Sequence, residues 1–305
     1  MRFLFHTLLI VTMILPYPFI AGACPPELIG PCAPSSEKRE ELSGAVTPWE
    51  STNAQPTLLQ EVRAAGETVI GDATYLLTSP LRMDGKSALI AGGVGAMIAG
   101  LMVADKPIQR AFQENRTETG HHIADTLNTV GDAQTVLGAN VALIGVGWLF
   151  REHDEGNKLL KTALVSLESQ LFVEGISGLT KFAVGRARPN DEDGTHSFDP
   201  FHGFDKSFPS SHAARSFAMA AVFADAYPQP IPFLAYTGAT LISLARIYEN
   251  EHFSSDVFAG AALGFVIGKA LSWRHSQSDS VRTWNVFPYV PDARGGLGLT
   301  VQLRF

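Results

Sequence analysis

The sequence predicts an all-α protein: a bundle of about six core helices, followed by a short C-terminal β-hairpin or strand arm. The chain has 305 residues, of which 46% are hydrophobic and 17% charged, which suffices for a sizeable core. Six apolar segments of helix length are rich in alanine and glycine, and no alternating strand pattern runs through them. Only the last residues, Gly298 to Phe305, alternate apolar and polar side chains as a strand does.

The N-terminus is typical of an exported chain. A positive charge precedes a short apolar core, Phe3–Leu15, and Ala21-Gly22-Ala23 fits a cleavage site, so residues 1–23 are predicted to be a signal peptide. The alternative is an uncleaved anchor helix. Cleavage would leave Cys24 first, and this residue could be lipidated or form a disulfide with Cys32; the spacing does not decide between them.

Three regions follow the signal peptide. Residues 24–80 are predicted to be a proline-rich linker and N-terminal arm, residues 81–275 the helical bundle, and residues 276–305 a tail with a β-hairpin. A terminal phenylalanine on such a strand also resembles the ending of outer-membrane proteins. The apolar segments of the bundle are Ser87–Ala104, Thr135–Phe150, Leu159–Val184, His212–Tyr227, Ile231–Tyr248 and Asp256–Trp273.

Whether these segments cross a membrane stays open at this point. Several are near the lower length limit for a span, and the mean hydropathy of +0.10 is low for a protein made mostly of spans. Gly92, Ala96 and Gly100 form a ridge of small residues suited to close helix contact. An exported N-terminus followed by three spans would place Lys181 on the cytoplasmic side. The net charge of −7 argues against a nucleic-acid partner.

The stretch SFPSSHAARSF predicts a helix start that binds an anion. Ser210 or Ser211 is a natural N-cap there, and a helix N-terminus presents free N–H groups to anions. His212 in the first turn could donate a proton to such an anion. Capping alone is the alternative interpretation.

Two further clusters point to the same kind of ligand. In KFAVGRARP, Lys181 precedes Arg188 by seven residues, a spacing that returns both cations to one helix face. The alternative is a solvated helix end. ARIYENEHFSSD supplies Arg246, His252 and Asp256, and the carboxylate can accept a hydrogen bond from one ring nitrogen of His252, leaving the other as a nucleophile. Alternatively, Asp256 only caps the last helix.

In an up-down bundle all three clusters lie at the same end, because each falls where a helix ends or the next begins. Three cations, two histidines and one carboxylate then converge. This set suits in-line attack on a tetrahedral oxyanion with a general acid opposite.

The three clusters resemble the signature of the type 2 phosphatidic acid phosphatase family, which bacterial class A acid phosphatases and vanadium haloperoxidases share. Its pattern is K-x6-RP, then PSGH, then SR-x5-H-x3-D. This chain has Lys181 with Arg188-Pro189, then Pro209-Ser210-Ser211-His212, then Ala245-Arg246 with His252 and Asp256. Ser211 replaces the family's glycine and Ala245 its serine, from which we expect altered selectivity or rate rather than loss of the site.

The resemblance implies a role for each matching residue. His252 would attack phosphorus and become a phosphohistidine, Asp256 would orient it, and His212 would protonate the leaving oxygen. The phosphoryl oxygens would be held by Lys181, Arg188, Arg246, Ser210 and the backbone N–H of Ser211. No metal or other cofactor is implied, although vanadate could bind as an inhibitor.

The predicted function is therefore a metal-independent phosphatase for phosphate monoesters or pyrophosphates on the non-cytoplasmic side. A lipid phosphate of the phosphatidic acid or polyprenyl pyrophosphate type is the leading substrate, with membrane association or a periplasmic location. The alternatives are a soluble broad-specificity periplasmic acid phosphatase, a haloperoxidase with vanadate as its cofactor, and a non-catalytic envelope scaffold.

Overall fold

The structure, a computed structural model, describes residues 58–191, 193–278, 283–289 and 298–304. The predicted signal peptide, most of the proline-rich linker and both cysteines lie outside the described residues, so the predictions about them stay predictions.

The described chain is mostly helical, as predicted, with eight α-helices. They are α1 (Leu58–Thr78), α2 (Gly85–Glu114), α3 (Glu118–Gly131), α4 (Ala133–Leu149), α5 (Asp154–Val184), α6 (Ser211–Ala226), α7 (Ile231–Tyr248) and α8 (Ser254–Ser278). Short 3₁₀ helices cover Ser79–Arg82 and Pro189–Asp191. All six apolar segments lie in helices.

The sequence interpretation missed α3, because this helix has few apolar residues. It carries a helix-start signal nevertheless: the Thr117 side chain accepts a hydrogen bond of 3.0 Å from the N–H of Gly120.

Two strands are described near the C-terminus. β1 (Thr283–Tyr289) pairs antiparallel with β2 (Gly298–Arg304), with Thr283 opposite Arg304 and Tyr289 opposite Gly298. Residues 290–297, which would form the turn, lie outside the described part, so the hairpin stays a prediction.

The end of α5, the start of α6, the end of α7 and the start of α8 meet at one end of the bundle, which we call the site end. There the N–H of Ser210 donates to the carbonyl of Asp256 at 3.0 Å, and the N–H of His252 donates to the carbonyl of Arg246 at 3.2 Å. Helix α2 reaches the same end, because Asp105 accepts a 2.9 Å bond from the N–H of Ser255.

A ridge of glycines on α8 lets this helix approach α6 closely. A Cβ added at Gly264 would lie 1.9 Å from the carbonyl oxygen of Ala214, and one at Gly260 would lie 2.2 Å from that of Ser210. Gly268 continues the ridge one turn on. The close contact holds the two helices that begin at the site end in fixed register.

The ridge predicted on α2 does not make such a contact. A Cβ at Gly92 or Gly100 would meet no described atom within 4 Å, and the neighbouring Leu89, Ile90 and Met97 are exposed. Helices α2, α7 and α8 are long and apolar enough to cross a membrane, and the apolar stretch of α2 is wholly unburied. These three apolar helices indicate membrane association.

Candidate active site

Lys181 lies in the last turn of α5, which Gly185 ends. Gly185 has φ +65°, its N–H donates to the carbonyl of Lys181 at 2.8 Å, and a Cβ there would lie 1.9 Å from the carbonyl oxygen of Asp199. The buried Lys181 ammonium donates to the carbonyl of Lys206. Burial, and then the charge of Arg188, lower the pKa of Lys181 to about 8.

Arg188 lies beyond the end of α5, so the prediction that helical spacing aligns it with Lys181 is wrong. The chain leaves the helix at Gly185, and the N–H of Arg188 bonds a carboxylate oxygen of Asp191 at 2.7 Å. The loop therefore brings Arg188 to the site. Its charge still acts on Lys181 and on His252.

Helix α6 begins at Ser211 with Ser210 as N-cap, but the Ser210 side chain makes no capping hydrogen bond. Its Oγ is buried and has no hydrogen-bond partner among the residues that the structure describes. An unpaired buried hydroxyl is unfavourable unless a ligand completes it. Capping alone therefore does not account for Ser210.

His252 and Asp256 are bridged by the hydroxyl of a serine that the sequence interpretation did not single out. Their nearest nitrogen and oxygen are 3.9 Å apart, so the direct hydrogen bond we predicted is not made. The Ser207 hydroxyl lies between them, 2.5 Å from Oδ2 of Asp256 and 3.3 Å from Nδ1 of His252. The hydroxyl has one hydrogen, which it donates to the carboxylate, so it must accept the hydrogen bond from Nδ1–H of His252. The lone pair of the ring is then on Nε2.

Asp256 is anchored in turn by a buried ion-pair network. Its Oδ2 accepts a 2.8 Å bond from the N–H of Phe253, as a capping residue would, while its Oδ1 receives Nη1 of Arg186 at 2.6 Å. Nη2 of Arg186 donates to Asp105 at 2.8 Å, and the side chains of Arg186, Asp105 and Asp256 are fully buried. Asp256 thus caps α8 and also accepts the hydroxyl of Ser207 that contacts His252.

His212 is held by a cation rather than a carboxylate. Nη2 of Arg215 lies 3.3 Å from Nδ1 of His212, and the same guanidinium pairs with Glu174. Because arginine can only donate, Nδ1 accepts, and the neutral ring carries its proton on Nε2. Burial, and then Arg246 and Arg215, lower the pKa of His212 to about 3.

His252 is buried, with 3% of its surface exposed, and stands among positive charges. Burial acts first, and then Lys181, Arg246 and Arg188, to hold the pKa of His252 well below its usual range. The ring is therefore neutral near pH 7, which is the form a nucleophile requires.

Arg188 and Arg246 meet at one carboxylate. Nη1 of Arg188 lies 2.5 Å from Oε2 of Glu251, and Nη2 of Arg246 lies 3.3 Å from the same oxygen. The Nε atoms of both arginines are buried without a hydrogen-bond partner in the described part of the chain.

The two residues that depart from the family motif lie at helix ends. Ser211 is half-buried at the first position of α6, and Ala245 is buried in the last turn of α7.

The structure brings the predicted residues to the site end, in the helix ends and the loops that join them. It adds residues that the sequence interpretation missed: Asp105, Arg186, Ser207, Arg215 and Glu251. Four of them had a visible signal, since these residues stand within the motif stretches themselves: Arg186, Ser207, Arg215 and Glu251. Asp105 is an acid at the end of an apolar segment, a placement that calls for a buried partner.

Comparison with known proteins places these residues in one family. The family model of the PAP2 superfamily matches residues 162–279, which include every predicted site residue. A protein of Rhizobium johnstonii named lipid A 1-phosphatase is 30% identical over 190 residues, covering 56% of this chain and 73% of that protein. A protein of the same name from Porphyromonas gingivalis is 32% identical over 138 residues, or 44% of this chain and only 28% of that protein.

Among solved structures, the transmembrane PAP2 type phosphatidylglycerolphosphate phosphatase of Bacillus subtilis is 19% identical, with a TM-score of 0.45. The match covers 61% of this chain and 95% of that one. On the family model, the Rhizobium relative and the three motif blocks together, the chain belongs to the PAP2 superfamily of phosphatases.

Proposed function

We propose that the chain hydrolyses a phosphate monoester or pyrophosphate on a lipid, through a phosphohistidine formed on His252. The observation that carries the proposal is a buried, neutral His252 whose Nδ1 is held by Ser207 and whose surroundings carry the charges of Lys181, Arg188 and Arg246. A neutral nucleophile among cations is what attack on an anionic phosphorus requires.

In the first step the Nε2 lone pair of His252 attacks phosphorus, so that an N–P bond forms as the P–O bond to the leaving group breaks. His212 gives its Nε2 proton to the departing oxygen. In the second step water attacks the phosphohistidine, His212 takes a proton from that water, and inorganic phosphate leaves as the N–P bond breaks.

His212 must be protonated to act as an acid, although its pKa in the protein alone is about 3. The causes of that low value suggest how the proton arrives. After burial, the charges of Arg246 and Arg215 contribute most, and a phosphate dianion beside His212 would offset them. Substrate binding would therefore raise the pKa of His212. Because Nε2 already carries a proton in the neutral ring, the second proton would be taken up at Nδ1, and the bond from Arg215 to Nδ1 would be lost.

No metal or cofactor is part of the proposal. Lys181, Arg188 and Arg246, with the Ser210 hydroxyl and the N–H of Ser211, would neutralise and hold the phosphoryl oxygens, a task that magnesium performs in other phosphoryl-transfer sites. The unpartnered Oγ of Ser210 supports this assignment, because a phosphoryl oxygen would accept its hydrogen. Vanadate, which resembles the transition state, should inhibit.

Two observations favour a lipid substrate over a small soluble ester. The curated relatives are named lipid A 1-phosphatases, and the apolar stretch of α2 is left unburied by the rest of the bundle. A phosphorylated lipid of the lipid A, phosphatidic acid or polyprenyl pyrophosphate type would reach the site from the membrane alongside such helices.

We place the site on the non-cytoplasmic face. Asp105 is at the site end, and Gly85 begins α2 about 30 Å away along the helix at about 1.5 Å per residue. If the site is outside the cytoplasm and α2 crosses the membrane, then Gly85 lies on the cytoplasmic side. If the signal peptide is cleaved, residue 24 lies outside the cytoplasm. The chain must then cross the membrane once more before Gly85, or the bundle does not span the membrane.

Labelling tests this orientation. With Cys24 and Cys32 replaced by serine, a single cysteine at Glu118 should react with a membrane-impermeant reagent in intact cells, and one at Lys86 should react only after lysis. The reverse pattern would place the site in the cytoplasm.

Phosphate release by the purified protein in EDTA tests the activity. Phosphatidic acid, a polyprenyl pyrophosphate and lipid A in detergent would be compared with a small soluble ester, with His252→Ala as the control. Release mainly from the lipids supports the proposal. Release mainly from the soluble ester would instead favour an acid phosphatase.

A further inference from the structure

The phosphate-binding arginines already hold an internal anion. One carboxylate oxygen of Glu251 lies 2.5 Å from Nη1 of Arg188 and 3.3 Å from Nη2 of Arg246. Glu251 directly precedes His252, and its side chain is 31% exposed, so it lies at the mouth of the site rather than in the buried core.

This oxygen takes the position that a phosphoryl oxygen would need between the two guanidiniums. Both terminal nitrogens of Arg188 are engaged by carboxylates, since its Nη2 is bonded to Asp205 at 2.5 Å, and its Nε has no partner among the described residues. A phosphate group that uses both arginines must therefore displace the Glu251 carboxylate or bind beside it against like-charge repulsion.

We propose that Glu251 competes with the phosphate group for Arg188 and Arg246 and so sets how tightly the site binds phosphate. The inference rests on the proposed phosphatase function and names a residue that regulates phosphate binding and release at its site. The penalty falls equally on every substrate whose phosphate binds between the two arginines, and on the inorganic phosphate that is formed. Glu251 thus speeds the release of inorganic phosphate.

The opposite role gives the opposite sign. If Glu251 only holds the two guanidiniums in place for the substrate, then removing its charge loosens them and weakens phosphate binding. The direction of the change in affinity therefore separates competition from positioning.

The test compares Glu251→Gln with the wild-type protein in detergent. Calorimetric titration with inorganic phosphate, and inhibition of lipid hydrolysis by phosphate and vanadate, give the affinity. For Glu251→Gln we expect about tenfold tighter binding, which corresponds to about 1.4 kcal/mol. We also expect a lower KM for the soluble ester and for the lipid alike.

Glu249→Gln is the matched control. Glu249 is two residues away and bonds Arg116 at 2.9 Å and His121 at 2.8 Å rather than the phosphate arginines, so its neutralisation should leave phosphate affinity unchanged. Asp205→Asn should have a smaller effect than Glu251→Gln, because the Asp205 side chain is 88% exposed and its charge is screened. Glu251→Ala is the second variant if the glutamine protein does not fold.

Unchanged or weaker phosphate binding by both Glu251 variants, with lipid hydrolysis intact, would overturn this inference but not the proposed function. A wild-type protein that neither binds phosphate nor releases it from any substrate would overturn the proposed function as well.

Discussion

Replacement of Ser207 by alanine tests how Asp256 acts on the histidine. The change removes the oxygen that lies 2.5 Å from Asp256 and 3.3 Å from Nδ1 of His252, while the carboxylate itself is 3.9 Å from that nitrogen. No charged group is lost, and Asp256 keeps its bonds to Arg186 and to the N–H of Phe253. The substitution therefore isolates the bridge.

The magnitude follows from the hydrogen bond that is broken. A bond to a charged group contributes about 1.5–3 kcal/mol. If the bridge is made fully only in the transition state, the loss lowers kcat by about 10- to 150-fold, at about 1.36 kcal/mol per factor of ten. The cations proposed to hold phosphate are untouched, so KM should change little.

The assay is a double-mutant cycle with Asp256→Asn, measured as kcat on a lipid phosphate. If Asp256 acts through Ser207, the double variant should be no slower than Asp256→Asn alone. Melting temperatures show whether each variant is folded. Full additivity of the two losses, or a Ser207→Ala protein with wild-type kcat, would refute the bridge.

Three further predictions concern pH, the general acid and helix packing. The kcat/KM should fall above about pH 8 as Lys181 loses its proton, and Lys181→Arg should move that fall to higher pH; a fall at the same pH would assign it to another group. His212→Ala should lower kcat by about 10²–10⁴ for poor leaving groups and far less for an acidic phenol; equal losses would contradict its acid role. Gly264→Ala should destabilise the fold by about 1–3 kcal/mol, since its Cβ would meet the Ala214 carbonyl. Gly238→Ala is the control, because this helical position is open and alanine should raise the free energy of unfolding there by up to about 1 kcal/mol. Equal melting temperatures of the Gly264→Ala and Gly238→Ala proteins would contradict the close contact of α6 and α8.

The sequence predicts six of the helices and the three motif blocks, because both depend on short-range patterns. Apolar runs of helix length mark six of the eight helices, and the three motif blocks contain His212, His252 and Asp256. That these residues meet at one end of the bundle follows from the up-down topology alone. Local spacing and topology are sufficient for these features.

What escaped prediction depends on the path of the loop between α5 and α6. The left-handed Gly185 turns the chain out of the helix, so Arg188 reaches the site without sharing a face with Lys181. The same loop returns the N–H of Ser207 to the carbonyl of Arg186 at 2.8 Å, which places the hydroxyl between His252 and its carboxylate. Helical periodicity carries no information about such a path.

Long-range pairing is the second limit. Asp105 is 81 residues from Arg186, and only the packing of α2 against α8 brings the two together. A buried acid in an apolar segment predicts that a partner exists, but the sequence has many cations that could serve.

The central claim, a phosphohistidine on His252, is tested most directly by trapping it. Lipid substrate labelled with ³²P at its phosphate would be mixed with enzyme and quenched in base within one turnover, because a phosphohistidine survives base and is lost in acid. The account predicts acid-labile label on the peptide that contains His252, and none on His252→Ala. Label that persists in His252→Ala, or turnover of the wild type without any labelled enzyme, would contradict it.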